Sequence, residues 1–135
     1  MHDILVNSYW LKKWAIKNSE MCIYCHNDTE HIEHLFWESP LIQQLVIVNF
    51  IRFCDEQCDY ELTKTDFFLG VDNRLVNDMI VVCKLCIYNS RLNEARPHFY
   101  GFINDLKRRK GLEFEMAKTN GKMNMYLEKW GELGI

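Results

Sequence analysis

The sequence predicts an all-α, multi-helix domain with a small irregular loop or hairpin near the N-terminus, and three observations carry that prediction. Apolar residues recur at helical spacing in one segment after another. Start and stop signals, Ser39-Pro40, Arg96-Pro97 and Asn120-Gly121, fall between those segments. No stretch alternates apolar and polar residues for long enough to argue for a sheet, and there is no internal repeat or low-complexity tract. With 135 residues the chain is long enough for one domain with a sizeable core and too short for two comfortable ones, so residues 1–135 are read as one unit.

The elements follow in order. Residues 3–16 fit a short amphipathic helix, with Ile4, Leu5, Tyr9, Leu11 and Trp14 on one side and Lys12, Lys13 and Lys17 on the wet side or end. Residues 19–39 form the irregular unit: a turn-rich stretch, then Thr29 as an N-cap for the short helix EHIEHLFW, whose first-turn acids suit the helix dipole. Residues 40–135 are the helical core and tail. Serine caps and proline tolerates the first helical position, so Ser39-Pro40 starts the segment LIQQLVIVNFIRF. That segment is broken only by Gln43, Gln44, Asn49 and Arg52, and it reads as the central buried helix. An acidic linker over 54–61 leads to TKTDFFLG, a capped helical turn ended by Gly70. A long helix runs from about Asn73 to Glu94, with Asn77, Lys84 and Arg91 at seven-residue spacing as one narrow wet stripe. Arg96-Pro97 breaks the chain, and Phe99, Phe102, Ile103 and Leu106 mark the core face of the next helix. Gly111 is a point where that helix can kink, Asn120-Gly121 ends it, and a last helix covers Lys122 to about Trp130.

Composition narrows the function classes. A hydrophobic content of 48% with 26% charged residues is that of a folded soluble protein, and no apolar run approaches the roughly 20 residues of a membrane span. The start, MHDILVNSYWLKKW, lacks the charge order and cleavage site of a secretory signal, so the six cysteines are expected in a reducing intracellular compartment, cytoplasmic or nuclear. The net charge of −3 conceals a split: +2 over residues 1–17, −9 over 18–73 and +4 over 74–135. A polyanion would be repelled by the middle and attracted to the ends.

The chemistry-bearing cluster lies in MCIYCHNDTEHIEHLFWESP. Cys22-x2-Cys25 lets two thiolates chelate one tetrahedral ion from a tight turn, and His34 offers an imidazole eight intervening residues later. Two loop cysteines beside a helix histidine would give the same pattern without a metal. His26, adjacent to Cys25, is poorly placed for shared chelation and reads as a loop residue.

The same string resembles the zinc-binding segment found C-terminal to the polymerase in reverse transcriptases of LINE-type, non-LTR retrotransposons. There a CxxC is followed by Glu, then by His-Leu-Phe, and two residues later by Cys-Pro; Cys22, Cys25, Glu30, His34, Leu35, Phe36 and Pro40 fall in register. LTKTDFFLG, CIYNSRLNEARPHF and KMNMYLEKWGE resemble the helical tail of those proteins, so the likeness covers most of the chain. It implies a zinc knuckle followed by a non-catalytic helical module that helps hold template RNA or single-stranded or nicked target DNA beside the rest of a reverse transcriptase. The chain has no paired aspartates of the kind that hold polymerase metals, and no enzymatic activity is expected of it. One departure stands out: the family's fourth ligand falls on Ser39, whose neutral hydroxyl is a poor zinc donor. His31, three residues before His34, or water is the alternative fourth ligand, and the site is read as a weakened structural one. An open fourth position would also suit a zinc hydrolase, a weaker reading with no base or pocket to support it. A docking module that packs on the polymerase without touching nucleic acid is the main rival.

Other features have simpler readings. Cys83-x2-Cys86 repeats the chelate spacing but lies mid-helix in MIVVCKLCIY, where cysteine serves as a small apolar side chain. Nothing in their spacing requires Cys54 and Cys58 to hold a metal. The run KRRK at 107–110 spans about 300° of a helix and cannot form one basic face, and Arg109 can pair with Asp105 or Glu113. Lys107, Arg108 and Lys110 are the leading candidates for phosphate contact, with Lys12, Lys13, Lys84 and Arg91 behind them. Tyr88, Phe99, Tyr100 and Phe102 interleave with these residues; stacking on bases and burial in the core are both open to them.

Overall fold

Ser39 and Pro40 mark the point where the chain settles into a long helical rod, and the rest of the fold is built against it. The structure is a computed structural model, and it describes residues 34–135. Every regular element among them is helical, as expected. A single wide turn, His34–Glu38, leads into the rod α1 (residues 40–58), in which Pro40–Ile42 and Val48–Cys58 are α-helical and Gln43–Ile47 is a π-type stretch. Then come α2 (Lys64–Leu69), α3 (Arg74–Leu92), α4 (Phe99–Asn120) and α5 (Met123–Trp130).

Local signals explain the boundaries. Pro40 stands in the first turn of α1, where its missing N–H is not needed. Ser39 caps only through its backbone: its carbonyl accepts from Gln43 N at 2.9 Å, and its hydroxyl makes no cap bond. The side chain of Gln43 donates to the Trp37 carbonyl instead, joining the wide turn to α1. The rod continues through Cys58, four residues beyond Cys54, where the sequence suggested that a linker begins; it ends at Asp59, which takes a left-handed conformation (φ 50°). The acidic residues of this stretch sit on the exposed side of the last turn, so their polarity did not signal an end.

A reciprocal capping box opens α2: Thr63 Oγ1 accepts from Asp66 N at 3.2 Å, and Asp66 Oδ2 accepts from Thr63 N at 3.2 Å. Thr63→Ala is expected to lower stability by about 1 kcal/mol, measured as a shift of the urea midpoint without a change in slope. Gly70 ends α2 at φ 86°, and a Cβ there would meet Asn77 Oδ1 at 2.8 Å. That oxygen already accepts from Val71 N, so the turn after α2 requires glycine on both counts. Asn73 caps α3 by accepting from Val76 N at 3.1 Å. α4 runs unbroken through Gly111 and stops at Gly121, which is left-handed (φ 69°), the residue type that helix ends favour.

The core lies between α1 and α3, with α4 and α5 packed along α3. α1 contributes one face, Ile42, Val46, Ile47, Phe50 and Cys54, while Gln44, Val48 and Arg52 stay in solvent. The more enclosed rod is α3, which buries Val76, Met79, Ile80, Val82, Cys83, Lys84, Cys86, Ile87 and Arg91. The role of central helix therefore passes from 41–53 to α3, which is buried on more sides. No helix among the described residues is long and apolar enough to cross a membrane.

Candidate metal and nucleic-acid sites

The wide turn His34–Glu38 carries the C-terminal end of the cluster and is anchored from below. Leu35 and Phe36 are fully buried, the Trp37 ring meets Phe67 of α2 at 5.2 Å, and Glu38 pairs with Lys64 at 3.0 Å. These ties fix both polar candidates on the turn. His34 is 4% exposed, and Ser39 N donates to the His34 carbonyl at 2.8 Å, so the two residues stand at either end of one helical turn. Ser39 is 0% exposed, and its Oγ is buried with no hydrogen-bond partner among the described residues.

An orphaned hydroxyl in a dry position costs free energy with no local return. It is an oxygen uncommitted among the described residues, five residues after the imidazole of His34. The imidazole and the hydroxyl of this turn are each groups able to donate to a metal, the neutral hydroxyl only weakly. Cys22, Cys25, His31 and His26 lie outside the described residues, as do Lys12 and Lys13. Among the described residues no group of three or more His, Cys, Asp or Glu side chains could hold a metal ion.

The remaining cysteines belong to the core. Burial and the nearby Cys58 push the Cys54 thiol up to about 12, and burial with Asp105 pushes Cys86 to about 11. Burial also raises Cys83 well above its ordinary value. Thiols held protonated in this way are poor nucleophiles and poor ligands. Cys83 and Cys86 thus follow the apolar reading, with Cys86 Sγ donating weakly to the His98 carbonyl at 3.9 Å.

The basic candidates separate into two groups. Lys84 and Arg91 are withdrawn from solvent, at 5% and 0% exposure, so the stripe they share with Asn77 is not wet and neither can meet a phosphate. Lys84 Nζ donates to the Phe68 carbonyl at 3.4 Å and lies 5.4 Å and 5.6 Å from the Phe67 and Phe68 ring centres. Burial lowers its pKa, against the opposing influence of Cys83. Lys107 and Arg108 are exposed and Lys110 is half-buried. Arg108 pairs with Asp105 at 3.2 Å, while Arg109 turns inward to Asp78 at 3.4 Å and Glu113 at 3.3 Å. The expected Arg109–Glu113 pair is present, and Asp105 serves Arg108 instead. Lys107 and Lys110 make no ion pair among the described residues.

Of the four interleaved aromatics, Phe102 is buried, Phe99 and Tyr88 are half-buried, and Tyr100 is 81% exposed. Its outward position could have been found by projecting α4 onto a helical wheel. The cluster of Asp78, Arg109, Glu113 and Lys129 could not, because Asp78 and Lys129 are 51 residues apart. The described residues define an all-α helical unit with an anchored histidine-bearing turn at its head. No protein-family model, curated protein or solved structure matches the chain.

Proposed function

We propose that this chain is a non-catalytic, zinc-binding, nucleic-acid-associated module of a retrotransposon reverse transcriptase, assisting engagement of template RNA or target DNA. The observation that carries the reading is the buried His34 followed, one turn later, by the buried Ser39 hydroxyl, which has no hydrogen-bond partner among the described residues. A bound zinc ion would supply a crosslink, pinning Cys22 and Cys25 to the turn that Leu35 and Phe36 fix on the core. His34 would be the imidazole donor, Ser39 the weak position and His31 its substitute. Lys107, Arg108 and Lys110 would meet phosphates, with Lys12 and Lys13 of the N-terminal segment.

Metal content of the purified chain tests this. One zinc per chain is expected, lost in His34→Ala, and Ser39→Cys should tighten zinc binding at least about tenfold by replacing a neutral hydroxyl with a thiolate. Absence of zinc from both the wild type and Ser39→Cys would refute the metal. Phosphate contact predicts oligonucleotide affinity that falls steeply with added salt.

One observation favours the rival docking reading. Leu112 and Met116, one turn apart on α4, are each 61% exposed, and Leu127 of α5 is also in solvent. A module of this kind would ignore oligonucleotides at every salt concentration and self-associate through that face.

A further inference from the structure

From the outer face of α4 we infer that Tyr100 is a stacking platform for an unpaired base, making the module selective for single-stranded over duplex nucleic acid. The inference rests on the nucleic-acid reading above and names the form of ligand that this surface can take.

At 100° per residue, Tyr100, Asn104, Lys107, Gly111 and Lys118 fall within roughly 60° of arc on α4. All five are exposed. The ring of Tyr100 makes no aromatic contact among the described residues, whereas its neighbours Phe99 and Phe102 meet each other at 5.4 Å and both pack on Phe53 at 5.8 Å. A lone exposed ring signifies little by itself. Its setting gives it direction. Lys107, Lys110 and Lys118 make no ion pair among the described residues, while Arg108 and Arg109 are neutralised by Asp105, Asp78 and Glu113. Glu115 lies at one edge of the arc and is the nearest opposing charge on it.

Lys107 and Lys118 thus share a strip with the most exposed ring of α4. Lys107 follows Tyr100 by two helical turns, about 10 Å along the axis, and Lys118 follows about 16 Å later. A strand lying along the helix would place a base on the ring and its following phosphates over the lysines. Stacking needs a free base face, which a strand offers at every nucleotide and a blunt duplex offers only at its ends. Phosphates are common to both forms. The lysines therefore supply affinity for either, and Tyr100 supplies the difference.

The test is binding of the full chain to three fluorescent probes of one mixed twelve-nucleotide sequence: single-stranded RNA, single-stranded DNA and the blunt DNA duplex that the latter forms with its complement. Tyr100→Ala should weaken both single-strand complexes about tenfold and leave the duplex within twofold. Tyr100→Phe should restore the single-strand affinities, which loss of a structural hydroxyl bond would not allow. Lys107→Ala should weaken all three and flatten the salt dependence. A wild type that binds single strands no less after Tyr100→Ala, or loses duplex binding equally, overturns the stacking while leaving phosphate contact in place. A wild type that binds no probe overturns the nucleic-acid reading, and the stacking with it. A tenfold effect on RNA alone would assign the surface to RNA.

Discussion

Phe50→Ala is expected to lower the stability of the folded chain by about 3–5 kcal/mol, the cost of deleting a fully enclosed aromatic side chain. Phe50 is 0% exposed and joins three elements: its ring meets Phe67 of α2 at 6.0 Å and Phe102 of α4 at 5.1 Å, both edge-on. The Phe67 ring in turn packs on Trp37 of the His34 turn at 5.2 Å. A cavity at position 50 therefore loosens the support under the candidate metal turn as well as the contact between α1 and α4. Domains of this size are typically stable by only about 5–15 kcal/mol, so the variant should unfold at far lower urea, followed by far-ultraviolet circular dichroism. Phe50→Leu retains most of the volume and should cost clearly less. A loss below about 1 kcal/mol for the alanine variant would mean that the three elements are not joined through this ring.

Much of this architecture was legible because its signals are local. Thr63 with Asp66, Gly70 and Gly121 announce helix ends through backbone conformations and cap bonds set within a few residues. The role of Asn77, Lys84 and Arg91 was not. Seven-residue spacing says that three side chains share a face, and it cannot say what the face meets. Here it meets the end of α2: Asn77 accepts from Val71 N, and Lys84 donates to the Phe68 carbonyl beneath two aromatic rings. Lys84 thus satisfies a carbonyl that the short helix leaves open at its C-terminus, and Asn77 takes up the N–H just beyond it. In the same way, Ser39 was legible as the residue before a helix start, but the fate of its hydroxyl depends on what surrounds it. The candidate metal cluster was visible only as spacing, and its cysteines precede the described residues.

Lys129→Met should destabilise the chain by about 2–3 kcal/mol at neutral pH, and by progressively less as the solution is acidified. Lys129 Nζ, 13% exposed, bonds Asp78 Oδ2 of α3 and lies 2.9 Å from Glu113 Oε1 of α4. Arg109 closes the cluster from the other side, and Trp130 Nε1 donates to the same Glu113 oxygen at 3.2 Å. Methionine keeps the packing of the stem and removes the charge, so two acids are left to share one guanidinium. The cost stays below that of a fully buried pair because both carboxylates retain some contact with water. Burial pushes the Glu113 carboxyl upward, but hydrogen bonds from Lys129 and Trp130 and the charges of Lys129 and Arg109 outweigh it and hold the group below its ordinary 4.5. A carboxyl depressed in the folded state contributes stability above its unfolded value and loses it as pH falls through the folded one. The wild type should therefore weaken below about pH 4.5, and the gap between wild type and Lys129→Met should narrow over the same range. Urea midpoints of both proteins at pH 7 and pH 3 measure it. An equal gap at the two pH values would show that the ammonium does not act through its hold on Glu113.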